Sequence, residues 1–154
     1  MKAISFSRLL MMAGALPFIG LLLASFFDWQ LLAWPAERVF LAYGAIIVSF
    51  LGGIHWGYAI LLIKSAPHEA ASNSLARTFL ALSNIVALMA WASLLFHSLG
   101  IALSVQLLAL LLALFSDSYA FRLKMIPEWF WNLRRIITVI VASSQILLIA
   151  KLIF

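Results

Sequence analysis

The sequence predicts an all-α integral membrane protein: five transmembrane helices in a single domain, 1–154, with the N-terminus in and the C-terminus out. Three observations carry the prediction. Of 154 residues, 66% are hydrophobic and 10% are charged, against roughly 25% charged in an ordinary soluble domain. Five apolar runs approach the ~20 residues that a hydrocarbon core of ~30 Å asks of an α-helix. With the N-terminus cytoplasmic, eight of the ten basic residues (Lys2, Arg8, Lys64, Arg77, Arg122, Lys124, Arg134 and Arg135) fall inside, and Arg38 and Lys151 fall outside. That asymmetry is the positive-inside signal.

The expected helices are 9–27, 39–63, 78–96, 101–123 and 127–154. The first follows Lys2 and Arg8, as the apolar region of a secretory signal would. It is long for such a region, and no small-x-small cleavage site closes it before Phe26, Phe27 and Asp28, so it reads as a retained helix. Residues 28–38 make a short outer loop whose Trp29 and Trp34 suit the headgroup level. Residues 64–77 read as an inner loop, in which Pro67 cannot continue a helix and Asn73 and Ser74 are N-cap candidates for the third span. Residues 97–100 form a tight outer hairpin. The second inner loop, 116–135, carries four basic residues with Asp117 and Glu128. Pro127 suits the first turn of the last helix, with Trp129, Phe130 and Trp131 at the inner interface.

Composition also excludes. Without cysteine there is no disulfide framework and no thiolate metal site. The basic residues read as topology anchors and lipid-phosphate partners, with no nucleic acid among the expected partners. No repeat halves the chain, which disfavours a repeat-built transporter. His55 and His97 lie in opposite halves and cannot share a haem, and no His-x-x-x-His or Glu-x-x-His pair offers a metal site. The chain has no P-loop and no Gly-x-Ser-x-Gly elbow. Ser143 and Ser144 reach the depth of His55, yet no nucleophile, base and orienter set is recognisable. No cofactor and no catalytic residue is therefore assigned.

What remains is a polar constellation. His55 is an ionisable group inside a span, which is costly and marks a candidate site. Counting ~1.5 Å of rise per residue, His55 lies ~12 Å inside the second helix from its inner end. Asn84, Pro17, Thr138 and Gln145 are assigned to the same cytoplasmic half, with Asp117 at the inner end of the fourth helix. Along the second helix Gly44 and Gly52 lie near the His55 face and Gly53 and Gly57 on the opposite one. Small residues admit close helix approach, so glycine on both faces suggests a helix packed on two sides. Pro17 removes a backbone donor and frees the carbonyl of Ala13, which a nearby donor or water could satisfy. Bland readings stand beside these: His55 as a neutral core histidine bonded to Asn84 or a carbonyl, and Asp117 as a helix-end residue paired with Arg122 or Arg134.

The stretch Ser49-Phe-Leu-Gly-Gly-Ile-His-Trp-Gly57, then Asp117, then Pro127-Glu-Trp-Phe-Trp-Asn-Leu-Arg134-Arg-Ile-Ile-Thr138, resembles the transmembrane protein 69-like family, as does Leu16-Pro17-Phe18. The likeness covers most of the chain. Met125-Ile126 departs from it where a glycine is usual. The resemblance implies five helices and an inner-membrane location, and brings no activity with it.

The functional expectation is binding or passage of a small ligand, a proton, an anionic lipid headgroup or a quinone, at a buried polar site on the cytoplasmic side. His55 would be the proton-accepting or hydrogen-bonding centre, Asn84 and Gln145 would orient, Thr138 would line the site, and Asp117 and Arg134 would gate its inner mouth. The alternative is an accessory subunit or assembly factor of a larger membrane complex, or a homo-oligomer. The expected location is a bacterial inner membrane.

Overall fold

The computed structural model describes residues 3–31, 33–66 and 68–153. The sequence readings of Lys2, of Pro67 and of the last residue of the final span lie outside them. The order is α1 (Ala3–Ala13), α2 (Leu16–Phe26), β1 (Gln30–Leu31), β2 (Trp34–Pro35), α3 (Ala36–Ser65), α4 (Ala70–Ser93), α5 (Leu99–Arg122) and α6 (Glu128–Ile153). α1 and α2 together make one apolar segment, and with α3, α4, α5 and α6 the described residues contain five segments long and apolar enough to cross a membrane.

The first span is broken, as Pro17 demands. Gly14 and Ala15 separate α1 from α2, and Pro17 falls in the first turn of α2, where its missing N–H is tolerated. Pro17 has no N–H to offer the Ala13 carbonyl. At the next residue the Gly14 carbonyl accepts a 2.9 Å hydrogen bond from the Tyr43 hydroxyl of α3, so a side chain supplies a donor at the break, as a bilayer requires. Between α2 and α3 a minimal antiparallel ladder pairs Gln30 with Pro35 and Leu31 with Trp34. The turn is made with Asp28 and Ala33 at positive φ.

The spans start and stop differently from the expectation at one place above all. α4 begins at Ala70, not near residue 78, and Asn73 and Ser74 lie within the helix, with Glu69 as the residue before it. A polar first turn does not end a helix; it carries the helix past the apolar layer. The last two spans end and begin close to the expected 123 and 127, so most of the polar stretch 116–135 is helical and only the few residues between Arg122 and Glu128 join α5 to α6. There α5 closes with Lys124 at φ 58°, its N–H bonded to Phe121 and that of Met125 to Ala120. That is the Schellman pattern, which glycine ordinarily occupies; here lysine takes the left-handed position.

α3 contacts α2, α4 and α5, and α6 contacts α1, α2 and α5. A main apolar core gathers Phe18, Phe40, Leu41, Val48, Leu103, Leu110 and Leu148, and a smaller one gathers Tyr58, Phe79, Ala120 and Ile126 near the α3–α4 and α5–α6 loops. The outer surface is large and apolar, with Ile46, Phe50, Leu88, Leu95, Phe115 and Val139 all exposed. Such a girdle is a lipid-facing surface rather than a water-facing one.

Glycine works on one face of α3. A Cβ on Gly52 would stand 3.1 Å from the Ser83 carbonyl oxygen and 3.2 Å from Val86 Cγ1, whereas a Cβ on Gly53 or Gly57 would meet nothing within 4 Å. Gly44 and Gly52 thus allow close helix approach. The expectation of packing on both faces is corrected: the Gly53 and Gly57 face is open, because α4 and α5 crowd the opposite side.

Candidate functional site: a buried ionic cluster

The site is assembled from three helices. α3 supplies His55 and, three residues on and therefore on the same face, Tyr58. α5 supplies Asp117, and α6 supplies Arg134 with Thr138 one turn later. The short α5–α6 loop places Asp117 and Arg134 inside facing helices, where Arg134 Nε donates to Asp117 Oδ2 at 2.7 Å. The other carboxylate oxygen, Oδ1, faces His55 Nε2 at 3.2 Å and accepts from the Tyr58 hydroxyl at 3.3 Å. Arg134 Nη1 donates to Thr138 Oγ1 at 3.0 Å. His55, Asp117 and Arg134 are 0%, 1% and 2% exposed.

Electrostatics fixes the roles. A guanidinium is always charged, and burying it unpaired is prohibitive, so its partner Asp117 is a carboxylate and an acceptor at both oxygens. Facing such an oxygen, the imidazole carries its proton on Nε2. Its other nitrogen, Nδ1, then presents a lone pair. Nδ1 is buried and has no hydrogen-bond partner, and the same holds for Arg134 Nη2 and for Ser116 Oγ beside Asp117. The pair is neutral as a whole, yet it leaves one strong donor and one strong acceptor unspent. Aromatic rings wall the cluster: Phe79 stacks on His55 at 6.2 Å and 22°, and Tyr58 lies 5.7 Å from it.

The sequence-derived candidates divide. His55, Asp117, Arg134 and Thr138 come together. Asn84 does not: it is exposed and donates to its own helix at Leu80, since residues sharing a helical stripe need not face the same neighbour. Gln145 is buried but belongs elsewhere. Its Nε2 donates to Gln106 Oε1 at 3.0 Å and to the Leu103 carbonyl at 3.2 Å. Gln106 in turn donates to the Leu41 carbonyl at 2.9 Å and the Ser93 hydroxyl at 3.4 Å. Gln145 stands ~26 Å along α6 from Glu128, beyond the middle of a ~30 Å core, so its placement in the His55 half is corrected. Gly44 belongs to this second cluster, because a Cβ there would collide with the Gln106 side chain.

Three further readings change. Pro17 shapes the broken first span instead of joining the His55 cluster. Asp117 and Arg134 are buried in the bundle and do not stand at an inner mouth open to water. Arg134 is thus no topology anchor, and Arg122, the other partner considered for Asp117, is exposed. Sequence reasoning missed Tyr58 and Gln106. The first was signalled by its i+3 spacing from His55, the second by its being an amide among leucines. Among the described residues no three acidic or histidine side chains group to hold a metal ion.

Fold and cluster together define a class, a multi-pass α-helical membrane protein with a buried ionic centre. Comparison with known proteins makes this particular: residues 4–150 match the family described as protein of unknown function DUF3429, and the chain belongs to that family. It is 37% identical over 106 residues to transmembrane protein 69 of Xenopus tropicalis, a match covering 68% of this chain and 38% of that relative. The match therefore spans well under half the length of the relative. No solved structure matches the chain. The resemblance carried by the Gly-Gly-Ile-His-Trp-Gly stretch is thus borne out at the level of family.

Proposed function

We propose that this protein binds a small ligand within the membrane at the His55–Asp117–Arg134 cluster, His55 Nδ1 serving as the hydrogen-bond or proton acceptor and Arg134 Nη2 as the donor. The observation that supports the reading is the pair of buried, unpartnered nitrogens, one acceptor and one donor, beside a carboxylate, a phenol and two guanidinium nitrogens that are all bonded. Buried polar groups in native proteins are nearly always satisfied. A polar centre kept for stability alone has no use for open valences.

The test is His55→Ala. Asp117 keeps Arg134 and Tyr58 as donors, so the cluster remains charge-balanced and the variant is expected to fold. Mass spectrometry of what co-purifies in mild detergent is expected to show a small molecule with the wild type and none with the variant. A variant that unfolds with no ligand lost would make His55 a structural residue.

In this proposal the protein resides in a bacterial inner membrane, N-terminus in, with the cluster on the cytoplasmic side. The clustering of Arg8, Lys64, Arg77, Arg122, Lys124 and Arg135 at one end of the spans supports the orientation. Cysteines introduced into the α3–α4 loop of this cysteine-free chain should react only from the cytoplasmic side; reaction from the outer side would reverse it. A second reading, an accessory subunit or assembly factor, is favoured by the open Gly53 and Gly57 face of α3. Crosslinking from that face to a stable heteromeric partner, with no ligand at His55, would prefer it.

A further inference from the structure

The break between α1 and α2 opens a cavity of about 110 Å³ lined by Met11, Gly14, Phe18, Ile47, Leu51 and Arg134, among others. It shares Leu10, Met11, Phe50 and Leu51 with a second cavity of about 340 Å³ that reaches Ser7, Trp129 and Phe130. Together they form a groove between α1, α3 and α6, apolar along its length and ending at the one ionic side chain in its lining. Arg134 is 2% exposed, and its Nη2 has no partner.

Three constraints select the occupant. Its head must offer an oxygen acceptor, because a guanidinium only donates. The head must be uncharged, because Asp117 already neutralises Arg134 and an added anion would leave unbalanced charge in the bilayer. Arg134 lies ~9 Å along α6 from Glu128, deeper than a lipid phosphate at the headgroup level, so the body must be apolar and soluble in the hydrocarbon. We infer that the groove takes the carbonyl head of a quinone, entering sideways from the bilayer, with Arg134 Nη2 donating to its oxygen and Phe18 and Phe50 walling its ring. This names the ligand class for the same cluster as the proposed function, and rests on that reading for the role of His55.

The experiment uses the full chain in phospholipid nanodiscs, labelled with a photoreactive azidoquinone and mapped by peptide mass. Label is expected on the α1 and α3 segments of the groove, competed by decylubiquinone and not by oleate. Gly14→Leu fills the cavity from a position where a Cβ meets nothing nearer than 3.5 Å, and it leaves the ion pair untouched. Arg134→Lys keeps the charge and removes Nη2. Arg134→Lys is expected to lower competed labelling by about tenfold, the worth of a hydrogen bond to a charged group, and Gly14→Leu, which occupies the space of the ring, is expected to lower it at least as far. Labelling that decylubiquinone does not compete, or that persists in a folded Gly14→Leu variant, overturns the inference. Competition by oleate as strong as by decylubiquinone overturns the neutral head. A ligand that co-purifies in a His55-dependent way without competed labelling overturns the quinone inference alone. Labelling lost in Gly14→Leu yet unchanged in His55→Ala supports the groove and overturns the role given to His55.

Discussion

Two polar clusters lie inside this bundle, and they are built on opposite terms. Gln106, Gln145 and Ser93 are neutral and bond to one another and to the Leu41, Leu103 and Ala90 carbonyls. None of their buried side-chain nitrogens or oxygens is left open. Asp117 and Arg134 form an ion pair, bonded with the neutral His55 into a set without net charge, and Nδ1 and Nη2 are left unspent. A closed amide cluster fastens α3, α5 and α6 together, and Gly44 is small so that Gln106 can reach across. An open ionic cluster does more than fasten. The difference separates glue from site within one core, where burial alone ranks them equally.

The comparison breaks most sharply at Asp117. Asp117→Leu leaves Arg134 buried without its counter-ion, and a loss of about 3–5 kcal/mol is expected, read as a lowered midpoint of SDS unfolding in bicelles. A loss below 1 kcal/mol would mean that Arg134 reaches water, and the contrast between the clusters would dissolve. Next comes Gln106→Leu, which takes the Gln106 acceptor from the buried Gln145 amide and leaves it the Leu103 carbonyl alone, at an expected cost of about 1 kcal/mol. The double variant Gln106→Leu with Gln145→Leu is expected to recover most of that loss, since removing both partners of a buried hydrogen bond is nearly neutral. The double variant should also retain whatever ligand co-purifies. If it loses the ligand, the amide cluster is part of the site and the separation fails.

Much of this was legible before the fold was known. The five spans follow from apolar runs that a bilayer demands, and the Asp117–Arg134 pairing was among the alternatives because unpaired charges there are untenable. Helix ends were less legible: the single first helix expected over 9–27 begins at Ala3 and breaks at Gly14 and Ala15, just before Pro17, and Asn73 and Ser74 did not delay α4. Asn84 and Gln145 misled for separate reasons. Azimuth on one helix does not reveal which neighbour that face meets, and Asn84 bonds back to Leu80. Depth does follow from counting, and Gln145, ~26 Å from the start of α6, belonged with Gln106 from the outset. Tyr58 was readable from its spacing to His55. The open valences were not, since they exist only once three helices meet.

The central claim is that Asp117 holds the His55 proton on Nε2 and leaves Nδ1 as a lone pair for a ligand. Nitrogen-15 solid-state NMR of histidine-labelled protein in bilayers tests it directly, with His68 and His97 replaced by Gln so that a single imidazole reports. The expected spectrum shows a protonated Nε2 and an unprotonated Nδ1 whose resonance moves when ligand is added. A protonated Nδ1 facing away from Asp117, unmoved by any addition, would contradict the account and return His55 to the core.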